Sequence, residues 1–303
     1  MLPYYYSYNE YMTKRFGEKV YKLSLDGGMT CPNRDGTAGT GGCIFCSEGG
    51  SGDFAERHTD DIDAQIERAK AQVSKKYRGN KFVAYFQSYT NTYAPVSYLR
   101  QMFFKAVNHP EIVALSVATR PDCLGEDVLD LLAELNKIKP VFVELGLQTI
   151  HESTAQLINR CYSLPVFDEA VKNLKSAGIN VTVHLILGLP HETREMMLES
   201  VKYAVDSGAD GIKLQLMHIL RGTRLEEMYL AGEFRVLSLD EYVETVCECL
   251  NIIPKNVVIH RLTGDAPKKL LVAPLWSADK KTVLNRINRE IAERNGNLSE
   301  VSP

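Results

Sequence analysis

The chain has no run of 18 apolar residues, and its opening, MLPYYYSYNEYMTKRF, has no apolar stretch of signal-peptide length. A transmembrane helix is therefore not expected, nor is a secretory leader. Basic charge is not in excess: 35 Lys and Arg against 38 Asp and Glu give a net charge of -3. That excludes a chain-wide field for nucleic acid, so any RNA site has to be a local patch. Regular cysteine pairing is also missing. Seven cysteines in irregular spacing fit a reducing cytoplasm better than a disulfide framework. No internal repeat or low-complexity tract is visible, and no recognised RNA-binding module is appended.

What is present suffices for one large core: 303 residues, 45% hydrophobic and 24% charged. Strands are predicted at Val20–Leu25, Phe82–Gln87, Val113–Ala118, Val141–Leu147, Val181–Leu187 and Gly211–Met217. Helices are predicted near Ile62–Tyr77, Ser97–Asn108, Glu126–Lys137, Val166–Ala177, Thr193–Ser207 and Leu239–Leu250. Ser97 and Asp168 are expected as helix starts, Gly178 and Gly208 as stops. This alternation argues a parallel sheet with right-handed crossovers. Beyond Asn256, Val257–His260 reads as another strand, Leu270–Leu275 as a short apolar run and Lys280–Arg294 as a helix. The expected organisation is a barrel unit over 1–255 and a C-terminal extension over 256–303 packed on it.

Side chains alternate faces along a strand. One parity collects polar residues in strand after strand: Lys22, Ser24 and Asp26; Tyr85 and Gln87; Ser116 and Arg120; Glu144 and Gln148; Thr182 and His184; Lys213 and Gln215. The other is mostly apolar, as at Leu23, Leu25, Val143, Leu145, Val183 and Leu185. A closed eight-stranded barrel fills its lumen with Val, Ile and Leu. A polar lumen with six strands instead predicts a partial (βα)6 barrel of TIM type, open on one side and holding a polar ligand. An ordinary open sheet with some satisfied polar residues is the plainer alternative.

Cys31, Cys43 and Cys46 lie in CPNRDGTAGTGGCIFC, straight after the first predicted strand. The surrounding stretch, Gly36–Gly52, is a long Gly-rich loop, and long loops in compact domains are usually functional. Three thiolates can hold three irons of a [4Fe-4S] cluster and leave the fourth open to a ligand. The glycines let backbone N–H groups approach the cluster sulfurs. A structural zinc ion wants four ligands; His58 is a candidate fourth, though its spacing fits no familiar zinc pattern. An inert trio of loop cysteines is the remaining alternative.

With these motifs in hand, the sequence resembles the radical S-adenosylmethionine (SAM) superfamily. The usual trio there is C-x3-C-x2-C, and here it is C-x11-C-x2-C. The wider first spacing, with CPNRDGT, is similar to a bacterial branch related to the Elp3-like proteins. The resemblance continues through YFQSYTNTYAP, ATRPDCL, ELGLQT, HLILGLPHET and GIKLQLMHIL. It implies a [4Fe-4S] cluster on the three cysteines and SAM on the open iron, cleaved by one electron to methionine and a 5′-deoxyadenosyl radical. It further implies that Phe45 packs on the adenine, and that Arg120, Gln148 and Arg160 reach the SAM carboxylate or ribose. Gly188 would admit the adenine. Gln87, Ser88 and Thr90 stand where many relatives carry a Gly-Gly-Glu motif for the amino group. Relatives often read N-R-G-H where this chain has Asn159-Arg160-Cys161-Tyr162.

Each residue also has a structural reading. Arg120 can pair with Asp122, Gln148 can cap a helix, Glu144 can neutralise Lys213, and His184 can be a core histidine. Cys161 fits packing or a reactive thiol, and Cys247 and Cys249 fit bystander roles. For the substrate, the resemblance implies tRNA. The expected reaction converts 5-carboxymethylaminomethyl(-2-thio)uridine at wobble position 34 to 5-aminomethyl(-2-thio)uridine. Lys213 and Glu144 are the candidate catalytic residues, Lys213 or Arg221 would hold the substrate carboxylate, and His218 would lie near the substrate. A flavodoxin- or ferredoxin-type donor would supply the electron. Candidate RNA contacts are Lys75, Lys76, Arg78 and Lys81; Arg221 and Arg224; Lys268 and Lys269; Lys280 and Lys281. Tyr4, Tyr5, Tyr6, Tyr8 and Tyr11 fit base stacking or packing across the barrel bottom. Two other readings stay open: a radical SAM enzyme on a small metabolite, and a non-enzymatic iron–sulfur redox sensor.

Overall fold

A computed structural model describes residues 4–50, 52, 55, 58, 59, 61–74 and 77–299. Lys75 and Lys76 of the first basic cluster lie outside the described residues. In chain order the elements are α1 (Tyr8–Phe16), β1 (Tyr21–Leu25), α2 (Ile62–Val73), β2 (Phe82–Phe86), α3 (Val96–Asn108), β3 (Ile112–Thr119) and α4 (Glu126–Asn136). There follow β4 (Val141–Gln148), α5 (Glu152–Leu157), α6 (Leu164–Ser176), β5 (Asn180–Leu187), α7 (Arg194–Asp206) and β6 (Gly211–Leu216). The chain ends with β7 (Ile219–Leu220), α8 (Arg224–Leu230), α9 (Leu239–Ile252), β8 (Val258–Arg261), β9 (Leu271–Ala273) and α10 (Lys280–Ser299).

Seven strands form one parallel sheet in the order β1-β2-β3-β4-β5-β6-β8. It is a partial barrel, open between its first and last strands, with the chain's C-terminal part packed on it. The six expected strands are joined by β8, which pairs with β6 through Gly211–Val258 and Ile212–Ile259. Residues beyond 255 thus complete the sheet. β7 and β9 form a separate antiparallel pair.

Alternating side chains produce this architecture. Leu23, Leu25, Val143, Leu145, Val183 and Leu185 all enter the main core between sheet and helices. The opposite parity faces inward and lines a cavity. At the barrel bottom, α1 covers the N-terminal strand ends: Met12 packs with Val20, Val83, Ala114 and Phe142, and Tyr8 and Tyr11 lean on that cluster. These two tyrosines are therefore packing residues. Helix starts differ from expectation. Pro95 and Ser163 precede α3 and α6, while Ser97 and Asp168 lie inside the helices; Asp168 accepts from the Tyr203 hydroxyl instead. Gly178 and Gly208 do stop α6 and α7, with φ of 70° and 90° that favour glycine. Among the described residues, no helix is long and apolar enough to cross a membrane.

Candidate active site

The three cysteines converge on a cavity of about 980 Å³ at the C-terminal ends of the strands. Cys31, Cys43 and Cys46 line one side, and β2 to β6 contribute Tyr85, Arg120, Glu144, Gln148, His184, Lys213 and Gln215. Strand ends of this kind are where α/β folds place their sites, because connecting loops can vary there without disturbing the sheet. The volume lies at the upper end of ordinary ligand pockets, enough for a cofactor with part of a substrate.

The cysteine loop is tied down by groups far away in sequence. Asn33 is fully buried. Its Nδ2 donates to the Asn159 carbonyl at 2.5 Å and lies 3.6 Å from Cys43 Sγ. Asn159 has a left-handed φ of 56°, and its own Nδ2 donates to the carbonyls of Thr40 (3.1 Å) and Gly42 (2.8 Å). Ile44 N–H donates to Ile158 O, and Leu225 N–H to Ile44 O. The loop is thus sewn to the end of α5 and the start of α8. Cys161 is exposed, and its thiol donates to Asn159 Oδ1 at 3.1 Å.

The donor set fits a cluster. A hydrogen bond with Cys46 and burial push the Cys43 thiol well above its usual range, so a metal that binds it has to displace its proton. A single zinc ion would draw three sulfurs to within about 4 Å of one another. Among the described residues, three ligand atoms come within 4.8 Å of one another only at Glu67, His109 and Glu111 on the outer surface. There Lys70 pairs with both carboxylates. The three cysteine sulfurs do not all lie that close to one another, and three thiolates without a fourth protein ligand are the set that leaves one iron of a [4Fe-4S] cluster open. His58 stands apart, 3.4 Å from the Asp26 carbonyl, and does not line the cavity.

On the floor, Glu144 is buried and accepts from four strands. Lys22 lies at 2.5 Å, Ser116 Oγ at 2.9 Å, His184 Nε2 at 2.9 Å, and Lys213 completes the set as an ion pair. Burial alone would raise the Glu144 carboxyl; Lys213, Lys22 and His184 outweigh it and hold the group well below the usual carboxylate range. Burial drives Lys213 down to about 7, with Lys22 and Arg261 adding repulsion against the pull of Glu144. Burial likewise pushes His184 down to about 4, so it is a neutral hydrogen-bonding group between Glu144 and Gln215. Two lysines share one carboxylate, so the floor carries excess positive charge where Lys213 is protonated, below about pH 7.

The other expected residues divide. Phe45, Gln87, Thr90, Arg120 and Gln148 line the cavity. The Arg120 guanidinium is already engaged: Nε and Nη2 fork onto Asp122 at 2.9 and 2.7 Å, and Nη1 donates to Arg160 O. The pair lies at the edge of the cavity, with Arg120 buried and Asp122 exposed. Gln148 has φ 63° at the end of β4, and its amide, suitably turned, donates to the carbonyls of Gly146 and Leu147. Tyr162 closes over this point, beneath Arg120 at 5.1 Å from its ring.

Arg160, Ser88, Gly188 and Arg221 are not in the cavity lining. Arg160 is fully buried and donates to the carbonyls of Leu147, Thr149 and Tyr162; its place is to hold the end of β4. Ser88 is buried against the turn at Gly52. Gly188 has φ 87°, and a Cβ there would meet Leu237 at 3.1 Å, so the glycine lets the chain pack closely on that side chain. Arg221 is exposed, beyond β7. Sequence reasoning missed Asn33, whose partners come from tertiary structure. Lys22 stood on the polar parity but carried no signal of its role.

Comparison with known proteins agrees with this geometry. A family model for the radical SAM superfamily matches residues 34–204, and one for the radical SAM C-terminal domain matches residues 209–293. The chain belongs to the radical SAM superfamily, and its cofactors are the superfamily's [4Fe-4S] cluster and SAM. It is 48% identical to the uncharacterized protein YtqA of Bacillus subtilis over 96% of this chain and 90% of that one. It is 29% identical to the tRNA uridine(34) acetyltransferase of Methanocaldococcus jannaschii over 61% of this chain but 33% of that protein. Among solved structures, the archaeal Elp3 of Methanocaldococcus infernus has a similar fold: TM-score 0.64, 22% identity, 84% of this chain and 58% of that one. The Elp3-related branch read from the sequence is therefore the one to which the chain is similar.

Proposed function

We propose that this radical SAM enzyme acts on tRNA. In this reading it converts 5-carboxymethylaminomethyl(-2-thio)uridine at wobble position 34 to 5-aminomethyl(-2-thio)uridine. The observation that carries it is the floor of the cavity. Lys213, facing a carboxylate already shared with Lys22, offers charge to an anionic group entering past the cysteines. The similarity to a tRNA uridine(34)-modifying protein over 61% of the chain supports RNA as the carrier of that group.

When bound, the cluster and SAM would supply a radical that takes hydrogen from carbon, and one SAM would accept two electrons in all. Loss of one hydrogen atom, one further electron and one proton from the N–CH2 group, with addition of water, balances the removal, and the two-carbon unit leaves as an oxo acid. The chain's own residues bind and orient. Cys31, Cys43 and Cys46 hold the cluster; Phe45, Gln87, Thr90 and Gln148 wall the cofactor space; and Lys213, set by Glu144, holds the substrate carboxylate. Arg120, engaged by Asp122, shapes the wall beside Tyr162.

The test is 5′-deoxyadenosine formation by anaerobically reconstituted protein with SAM and a strong reductant, with and without tRNA from cells lacking this protein. Stimulation by tRNA, with disappearance of the carboxymethylaminomethyl nucleoside, is the expected result. Formation indifferent to tRNA points to a small metabolite and ends the tRNA reading. No formation despite full iron loading leaves a cluster protein without SAM chemistry.

A further inference from the structure

Charge is distributed unevenly between the cavity and the rest of the molecule. The chain carries a net charge of -3, yet six cationic and three anionic side chains line the cavity. Three of the cations near the cysteines and floor are engaged: Arg34 by the carbonyls of Ser47 and Glu48, Arg120 by Asp122 and Lys213 by Glu144. The other three, Arg261, Lys268 and Lys280, come together on the wall built by residues beyond 255.

This wall is ordered by its own carboxylates. Asp265 accepts from Lys280 Nζ on both oxygens, at 2.8 and 2.7 Å, and lies 3.5 Å from Arg261 Nη2. Asp279 caps α10, taking Thr282 N–H at 3.2 Å and Thr282 Oγ1–H at 2.7 Å. Lys268 closes no ion pair among the described residues. It is exposed at the mouth and contributes only a through-space attraction to Asp279. His218 stands behind the wall, kept neutral by burial that pushes it down to about 4. Two carboxylates therefore face three cations: Arg261 and Lys280 are held by Asp265, and Lys268 forms no ion pair with either acid.

We propose that Arg261, Lys268 and Lys280 form a phosphate-binding subsite, and that its ligand is a phosphodiester of the RNA next to the modified nucleoside. This rests on the tRNA reading and deepens it. The floor would take a carboxylate at Lys213, which is buried, while the wall takes a phosphate at Lys268, which is exposed. A ligand with both anions, one on its base and one on its backbone, satisfies the two ends at once. A free nucleoside satisfies only the floor. The same chemistry would accept the phosphate ester of a small molecule, and the experiment separates the two.

The test measures binding of an anticodon stem-loop RNA and of a nucleoside monophosphate by wild type, Lys268→Ala and Lys268→Glu. Because Lys268 is exposed and unpaired, thermal melting and SAM binding stay unchanged. For the RNA, Lys268→Ala reduces the slope of log K against log salt by about one, and Lys268→Glu weakens binding about tenfold or more. Equal RNA binding by wild type and Lys268→Glu overturns the subsite and leaves the tRNA reading intact. If wild type ignores RNA but binds the monophosphate, and Lys268→Glu loses it, the tRNA reading falls and a small phosphate ester takes the wall. If wild type binds neither, both fall.

Discussion

Lys213 sits where three opposing forces meet. Burial and the neighbouring charges of Lys22 on β1 and Arg261 on β8 favour its neutral amine; Glu144 on β4 favours the ammonium. Tyr85 on β2 lies 3.2 Å from Nζ, and His184 on β5 shares Glu144 but is itself neutral. The outcome, about 7, sets the sign of the pH dependence. Below that value the ammonium is present and a substrate carboxylate binds; as pH rises through it, binding weakens and KM climbs. The measurement is the pH profile of KM for tRNA, compared with 5′-deoxyadenosine released from SAM alone. Lys213→Met leaves Glu144 with Lys22, Ser116 and His184, so the fold persists. It should lower kcat/KM for substrate about ten- to a hundredfold, the worth of one charge-assisted hydrogen bond, and flatten that profile. A KM profile unchanged in Lys213→Met would remove Lys213 from substrate binding. Stability runs with the same linkage. The folded value lies below the ordinary lysine value of 10.5, so the unfolded chain binds more protons between them and the native state gains from Lys213 as pH rises through that window.

At the scale of elements, the cysteine loop depends on the turn after α5. Asn159 supplies two side-chain bonds to the loop and one carbonyl to Asn33, from a backbone conformation that asparagine tolerates and alanine resists. Asn159→Ala should leave the circular dichroism of the sheet and helices intact while lowering the iron retained per chain after reconstitution. Asn33→Leu removes the N–H directed at Cys43, so a cluster that does assemble should titrate to a lower potential, because hydrogen bonds to cluster sulfurs stabilise the reduced form. Iron content and midpoint equal to wild type in both variants would deny the clamp its role. The cysteine trio was legible in the sequence because its chemistry is local to one loop. The sheet was legible because polar and apolar residues alternate in strand after strand. α1, α5, α8 and β7 were not. β7 has two residues, α5 has six and α8 seven, too few for a periodicity to emerge. The tyrosines of α1 carry no amphipathic signature until Phe142 and His260 are brought against them. Arg160 and Gly188 illustrate a different limit. Their positions in motifs suggested contacts with SAM, but what surrounds a residue comes from distant elements: carbonyls at the end of β4 for one, Leu237 for the other.

For the whole molecule, the decisive feature is that the last fifty residues are structural partners of the first. β8 adds the seventh strand, Ile259 N–H donates to Tyr6 O, and Ser7 bridges to Ile259, so the chain's two ends meet on one sheet edge. Val283, Ile287 and Ile291 of α10 enter the same core as Tyr242, Val246 and Cys249 of α9. A chain ended at Lys255 would leave the β6 edge unpaired and that apolar face bare. An exposed edge beside an apolar surface promotes association. The truncated chain is therefore expected to aggregate or to lose its cooperative thermal transition, and to retain no iron, because the cavity would have lost its wall as well as its last strand. Soluble 1–255 that melts cooperatively and binds iron as the full chain does would show instead that the barrel stands alone and that the C-terminal part serves only the substrate.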